Sequence, residues 1–210
     1  MKSASLTAFA LLSALAGAAY AAPADWTTPT TGSLDGVGLT MTGLSSQFLN
    51  IETRSYTTSD FSAAPLSNVE AIQYGASNDW TATFGSPIAD LLLYVDTWRG
   101  NYNAPGPDPD TNYTFSMPFT ILSGLGGAGV SGNTLTLPFD QNLAFYHGII
   151  RFSGPITSLS VVSDGLNESG QILTFATAVP EPATLSLIGI GITAFVVIQR
   201  RNLTKAKANG

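Results

Sequence analysis

The middle of this 210-residue chain is predicted to be all-β: an antiparallel, jelly-roll-like β-sandwich, flanked by an N-terminal signal helix and a C-terminal transmembrane helix. Three observations predict it. Short runs rich in β-branched and aromatic residues recur between clusters of Gly, Pro, Asn, Asp and Ser. Several of these runs alternate apolar and polar residues, as in Tyr113, Phe115, Met117 and Phe119. No ten-residue window between the two ends carries a helical stripe, and no internal repeat of fixed period suggests a propeller or β-helix.

The chain opens with Lys2 and an apolar run from Leu6 to Ala16, followed by small residues and Ala19-Tyr20-Ala21. A positive start, an apolar stretch of this length and an A-x-A exit mark a secretory signal. Cutting after Ala21 leaves Ala22 first, whereas cutting one residue later places Pro23 beside the scissile bond. Residues 1–21 are therefore read as a signal peptide, which makes signal peptidase the first expected partner.

Strands are then expected over Val37 to Thr42, Phe48 to Thr53, Ala71 to Tyr74, Trp80 to Phe84 and Ile88 to Val95. Further strands follow at Tyr113 to Leu122, Thr134 to Leu137, Leu143 to Phe152, Ile156 to Val162 and Ile172 to Thr177. About ten short strands in the 157 residues from Ala22 to Ala178 suit one sandwich domain. Asp35 before Gly36 and Asp164 before Gly165 read as turns.

The other end has three parts in order. Val179-Pro180-Glu181-Pro182 cannot lie in a helix interior, because prolines flank Glu181. An apolar run from Ala183 to Ile198 follows, about 24 Å long as a helix against a hydrocarbon core of about 30 Å. Arg200 and Arg201, with Lys205 and Lys207, then hold that end in the cytoplasm, so residues 202–210 are a basic cytoplasmic tail and the sandwich lies outside. Before processing, residues 183–198 would seat the chain in the inner membrane.

This arrangement resembles the PEP-CTERM sorting domain of exported proteins from exopolysaccharide-forming Gram-negative bacteria. The resemblance rests on Pro180, Glu181 and Pro182, on the apolar run to Ile198, and on Arg200 and Arg201, which gives a sorting signal over residues 179–201. It implies Sec export, an exosortase as processing partner, and delivery from the membrane to the cell surface or extracellular matrix. The segments Thr83 to Tyr94 and Gly148 to Val161 also resemble paired strands of such ectodomains, in which a strand, small-Pro turn and strand recur in sandwiches similar to carbohydrate-binding modules.

Composition narrows the chemistry. The chain has no cysteine and one histidine, His147, which excludes disulfides, thiolate sites and metal sites needing two histidines. Thirteen of the fourteen acids lie between Ala22 and Ala178 and face only Arg54, Arg99 and Arg151, which disfavours nucleic acid as a partner. A serine hydrolase would have to use His147, and no G-x-S-x-G elbow is present. Gly124 to Gly129 spells G-x-G-x-x-G but leads into a strand rather than a helix, so it reads as a hairpin loop. Asp108, Asp110 and Asn112 alternate as calcium ligands do, but a stiff Pro-rich surface loop accounts for them better, and no metal or other cofactor is assigned.

Flat rings stack on sugar faces, so Trp26, Trp80, Trp98, Tyr94, Tyr102 and Tyr113 are candidates for ligand contact, with Trp98 and Tyr102 foremost. Two functions follow. The first is a non-catalytic surface or exopolysaccharide-matrix protein with structural or glycan-binding duty. The second is a secreted carbohydrate-active enzyme using a carboxylate pair.

Overall fold

A computed structural model describes residues 21–46, 48–75, 79–98, 110–138, 145–164 and 169–178. Residues 1–20 of the expected signal segment and everything after Ala178, including the apolar run, lie outside them, while Ala21 is the first residue of a strand; among the described residues no helix is long and apolar enough to cross a membrane.

Among the described residues, fourteen strands form two layers. The first sheet holds β1 (Ala21–Thr28), β2 (Thr31–Leu34), β3 (Val37–Thr42), β6 (Trp80–Ile88), β13 (Ile156–Ser163), β8 (Thr111–Phe115), β11 (Thr134–Leu137) and β10 (Gly129–Ser131), in that spatial order. The second holds β4 (Asn50–Tyr56), β5 (Leu66–Gly75), β14 (Ser169–Ala178), β7 (Leu91–Trp98), β12 (Tyr146–Phe152) and β9 (Thr120–Gly124). All pairs are antiparallel. From β5 to β14 successive strands change sheet, apart from the β10–β11 hairpin, which is the winding expected of a jelly roll. β1 joins the layers, because Ala21 to Pro23 pair with β14 while Ala24 to Thr28 pair with β2. At the switch the Trp26 amide donates to Glu70 Oε2 at 2.6 Å, so this part-buried donor is not left orphaned.

One apolar core lies between the layers. Phe175 of the second sheet meets Trp26, Trp80 and Phe84 of the first at centroid distances of 6.3, 6.0 and 5.9 Å. Phe115 meets Phe152 edge-on at 5.2 Å. A second cluster covers the outer face of the second sheet, where the segment between β4 and β5 brings a 3-10 turn (Ser59–Phe61) and Ala64 into one cluster with Leu66 at the start of β5, Tyr94, Leu92 and Ile149. Tyr94 donates to the Ala64 carbonyl oxygen at 2.5 Å. Both faces of β7 are thus covered, which explains why Leu91-Leu92-Leu93-Tyr94-Val95 is apolar without alternation.

The two segments with the strand, Pro turn and strand pattern lie side by side. β6 pairs with β13 through Ile88 and Ile156, and β7 pairs with β12 through Leu91 and Phe152, so each crosses between the sheets opposite the other.

The strand count exceeds the expectation of ten. β1, β2 and β10 escape the sequence pattern because they are short or interrupted by Pro and Gly. The run Tyr113 to Leu122 is two strands, β8 and β9, in different sheets, and Ile88 to Val95 is divided by a turn at Ala89 and Asp90. Gly124 to Gly129 is not a hairpin loop: it carries the chain from β9 in one sheet to β10 in the other.

Candidate functional site

The aromatic platform expected from the sequence is internal. Trp26, Trp80, Trp98, Tyr94 and Tyr113 are all buried, and Trp98 stacks on Tyr113 at 4.4 Å. With no exposed surface, Trp98 has no ring face to offer a sugar. Tyr102 lies outside the described residues, as does Asp108. Asn112 is occupied structurally: its amide group donates to Asp164 Oδ2 at 2.8 Å and accepts from Thr136 at 2.7 Å. Asp110 is exposed at the start of β8, and among the described residues no three His, Asp or Glu side chains gather to hold a metal ion.

One strained point of the second sheet is a bulge where His147 opposes both Asp96 and Thr97. His147 Nδ1 donates to Asp96 Oδ1 at 2.5 Å, and Thr97 takes a positive φ of 56°. The hydrogen bond to Asp96 holds the imidazole pKa above its ordinary value, against the opposing effect of partial burial. Sequence reasoning found His147 but not its partner, because the bulge alone aligns them. A base oriented by a carboxylate needs a nucleophile to be a hydrolase. On the neighbouring β9, the Ser123 hydroxyl donates to the Asp60 carbonyl oxygen at 2.9 Å instead. The pair fastens β7 to β12.

Three other acids are similarly engaged. Asp90 Oδ1 accepts from Arg151 at 2.6 Å, Asp79 Oδ1 caps the Ser163 amide at 2.8 Å, and Glu52 pairs with Arg54 at 2.6 Å. An open hollow of about 190 Å³, lined by Met117, Pro118, Phe119, Thr120, Arg151 and Ser153, has no carboxylate in its wall.

The outer face of the first sheet is different in kind. Thr31, Thr40, Thr83 and Ser158 stand in register across four strands, and Thr42, Thr81 and Ser160 form a second row. Val162, Thr114 and Thr134 form a third. Strand spacing places neighbours in a row about 4.8 Å apart. Hydroxyls bridge strands, with Thr81 to Ser160 at 2.9 Å and Thr114 to Thr134 at 3.1 Å. Apart from Val162 these outward positions carry only hydroxyls, with no charge and no ring. The signal in the sequence was a hydroxyl at every second position, as in Leu39-Thr40-Met41-Thr42 and Trp80-Thr81-Ala82-Thr83.

β14 ends at Ala178, in register with Ala21. From that residue the chain matches a family model: residues 178–201 fit the PEP-CTERM protein-sorting motif. The chain carries a PEP-CTERM sorting signal. Comparison with curated proteins and with solved structures returns no match. The PEP-CTERM span includes Pro180, Glu181, Pro182, Arg200 and Arg201, all outside the described residues. Its first residue is the last of β14, so the sorting signal follows the sandwich without an intervening segment.

Proposed function

We propose that this is an exported surface or exopolysaccharide-matrix protein whose sandwich has a structural or glycan-binding duty and no catalytic one. The carrying observation is the PEP-CTERM motif at residues 178–201, joined directly to a folded β-domain. Such a motif directs a chain to an exosortase. On this reading Sec and signal peptidase deliver it, residues 183–198 hold it in the inner membrane with the sandwich in the periplasm, and processing releases it outward.

Two features support the duty assigned to the sandwich. Among the described residues, the carboxylates of Asp90, Glu52, Asp96 and Asp79 are engaged with Arg151, Arg54, His147 and the Ser163 amide rather than standing as a free pair of the kind a glycosidase uses. The uncharged hydroxyl rows suit a neutral polysaccharide, whose hydroxyls can exchange hydrogen bonds with Thr and Ser, whereas the acidic domain repels anionic polymers.

Replacement of Glu181 tests the reading. Glu181→Ala lies beyond the sandwich, so the domain should fold normally while the chain stays in the inner-membrane fraction of the producing cell. Release of the variant at the parent's rate would reject the exosortase assignment.

A further inference from the structure

The hydroxyls on the outer face of the first sheet repeat in two directions. β3, β6 and β13 each carry two of them: Thr40 with Thr42, Thr83 with Thr81, and Ser158 with Ser160. One row continues onto β2 through Thr31. The other continues just past β8, where the Ser116 amide donates to the Ser160 carbonyl oxygen at 2.9 Å and the Ser160 amide donates to Ser116 Oγ at 3.0 Å. Each row is thus four hydroxyls long, and the two rows together span five strands. The step along a row is the strand spacing, about 4.8 Å, and the step between rows is two residues of strand, about 7 Å.

The rows are exposed, except that Thr81 and Ser160 are half-buried and bonded to each other at 2.9 Å. A bonded pair of hydroxyls still offers a ligand one proton and several lone pairs. The branched Cβ of Thr restricts its rotamers, so little side-chain freedom is lost on contact. Beside the first row the next outward positions are Gly38 and Gly85, which lie side by side and raise no side chain against an occupant.

A chain molecule matched to this face is uncharged, because the rows hold no charge and the domain around them is acidic. Its hydroxyls also recur at the strand spacing. An extended, β-linked hexopyranose ribbon of the cellulose type meets both conditions. Its advance per sugar is close to the separation of neighbouring strands. Alternate sugars are turned over, yet each edge of the ribbon shows a hydroxyl at every sugar. Such a ribbon twists easily about its axis and so follows the twist of the sheet. An α-linked chain of the amylose type coils, which carries its hydroxyls away from a straight row. One Thr or Ser contact contributes little net of the water it displaces, so recognition depends on how many are made in register.

We propose that this face takes a ribbon-forming, β-linked neutral glycan laid across the strands, one sugar to a strand, with the two edges of the ribbon on the two rows. The inference rests on the reading of this face as the glycan-binding surface.

The test uses the full chain in a detergent without a sugar headgroup, titrated into end-labelled cello-oligosaccharides and malto-oligosaccharides of two to six sugars, with binding followed by fluorescence anisotropy. Affinity for the cello series should rise about threefold per sugar and level off after cellopentaose, where the rows end. The malto series should bind at least tenfold more weakly at each length. Thr40→Val keeps the shape of the side chain and its strand propensity, and should weaken cellotetraose about threefold. Equal binding of the two series overturns the ribbon proposal and leaves the glycan reading standing, as does cello-oligosaccharide binding that Thr40→Val does not change. Binding of neither series overturns the proposal too, and if neutral polysaccharide from the producing cells is not retained either, the glycan reading beneath it falls.

Discussion

His147 is the residue whose chemistry is easiest to isolate. The chain has no other histidine and no cysteine, so no other side chain has an ordinary pKa between about 6 and 9. Its pKa is raised in the fold by the hydrogen bond to Asp96. The bond therefore contributes its full stability below the unfolded imidazole value of about 6.5 and loses it as pH rises through the higher folded value. We expect the urea midpoint of the parent to fall across that window and that of His147→Asn to stay level. The gap at low pH should be on the order of 1 kcal/mol, since the imidazole is about a third exposed. A midpoint that rises with pH in the parent would contradict the pairing. The same bulge explains why Trp98 misleads a reader of the sequence. Leu91, Leu93 and Val95 face the core while Leu92 and Tyr94 face outward beneath the β4–β5 segment. Simple alternation puts Trp98 with Leu92 and Tyr94, but the extra residue at the bulge reverses the phase and turns it inward.

At the scale of elements, turns and crossovers make distinct demands on glycine. Asp35 and Gly36 both have positive φ, at 52° and 76°, and close the two-residue hairpin between β2 and β3. A Cβ on Gly36 meets nothing, so Gly36→Ala should cost roughly 1 kcal/mol from backbone conformation alone. Gly124 also has positive φ, at 71°, but a Cβ there would run into the carbonyl oxygens of His147 and Asp60. Gly124→Ala should therefore cost roughly 3 kcal/mol or more. Thermal or urea unfolding of the two variants checks the ranking, and equal losses would contradict it. Asp35-Gly36 was legible as a turn, whereas Gly124 was hidden in a glycine-rich string whose crossover depends on the partner strand. The division of 113–122 was hidden for a related reason: Met117 and Phe119 still pack on the core around the corner, so alternation continues where the strand does not. The hydroxyl rows make a further demand. Thr83 stands exposed within the longest row, and Thr83→Asp should leave the unfolding midpoint within about 0.5 kcal/mol of the parent. The same change should abolish retention of the domain on neutral polysaccharide from the producing cells. Unchanged retention by Thr83→Asp would remove this face from glycan binding.

For the molecule as a whole, destination is more legible than contact chemistry. A sorting tail is read from consecutive residues, so Pro180, Glu181, Pro182 and the terminal arginines declare themselves without knowledge of the fold. A surface is assembled from strands distant in sequence: Thr31 and Ser158 share a row only because β2, β3, β6 and β13 pair in that order. The pairing of β1 with β14 is of the second kind, since Ala22 and Thr177 lie at opposite ends of the sandwich sequence. The central claim, that this sandwich is exported and released through its PEP-CTERM signal, is tested most directly by the intact mass of the protein recovered from outside the producing cell. The expected mass is that of a chain beginning at Ala22 and lacking the apolar run 183–198 with the basic residues beyond it. Recovery of a chain that still carries that run would contradict the account.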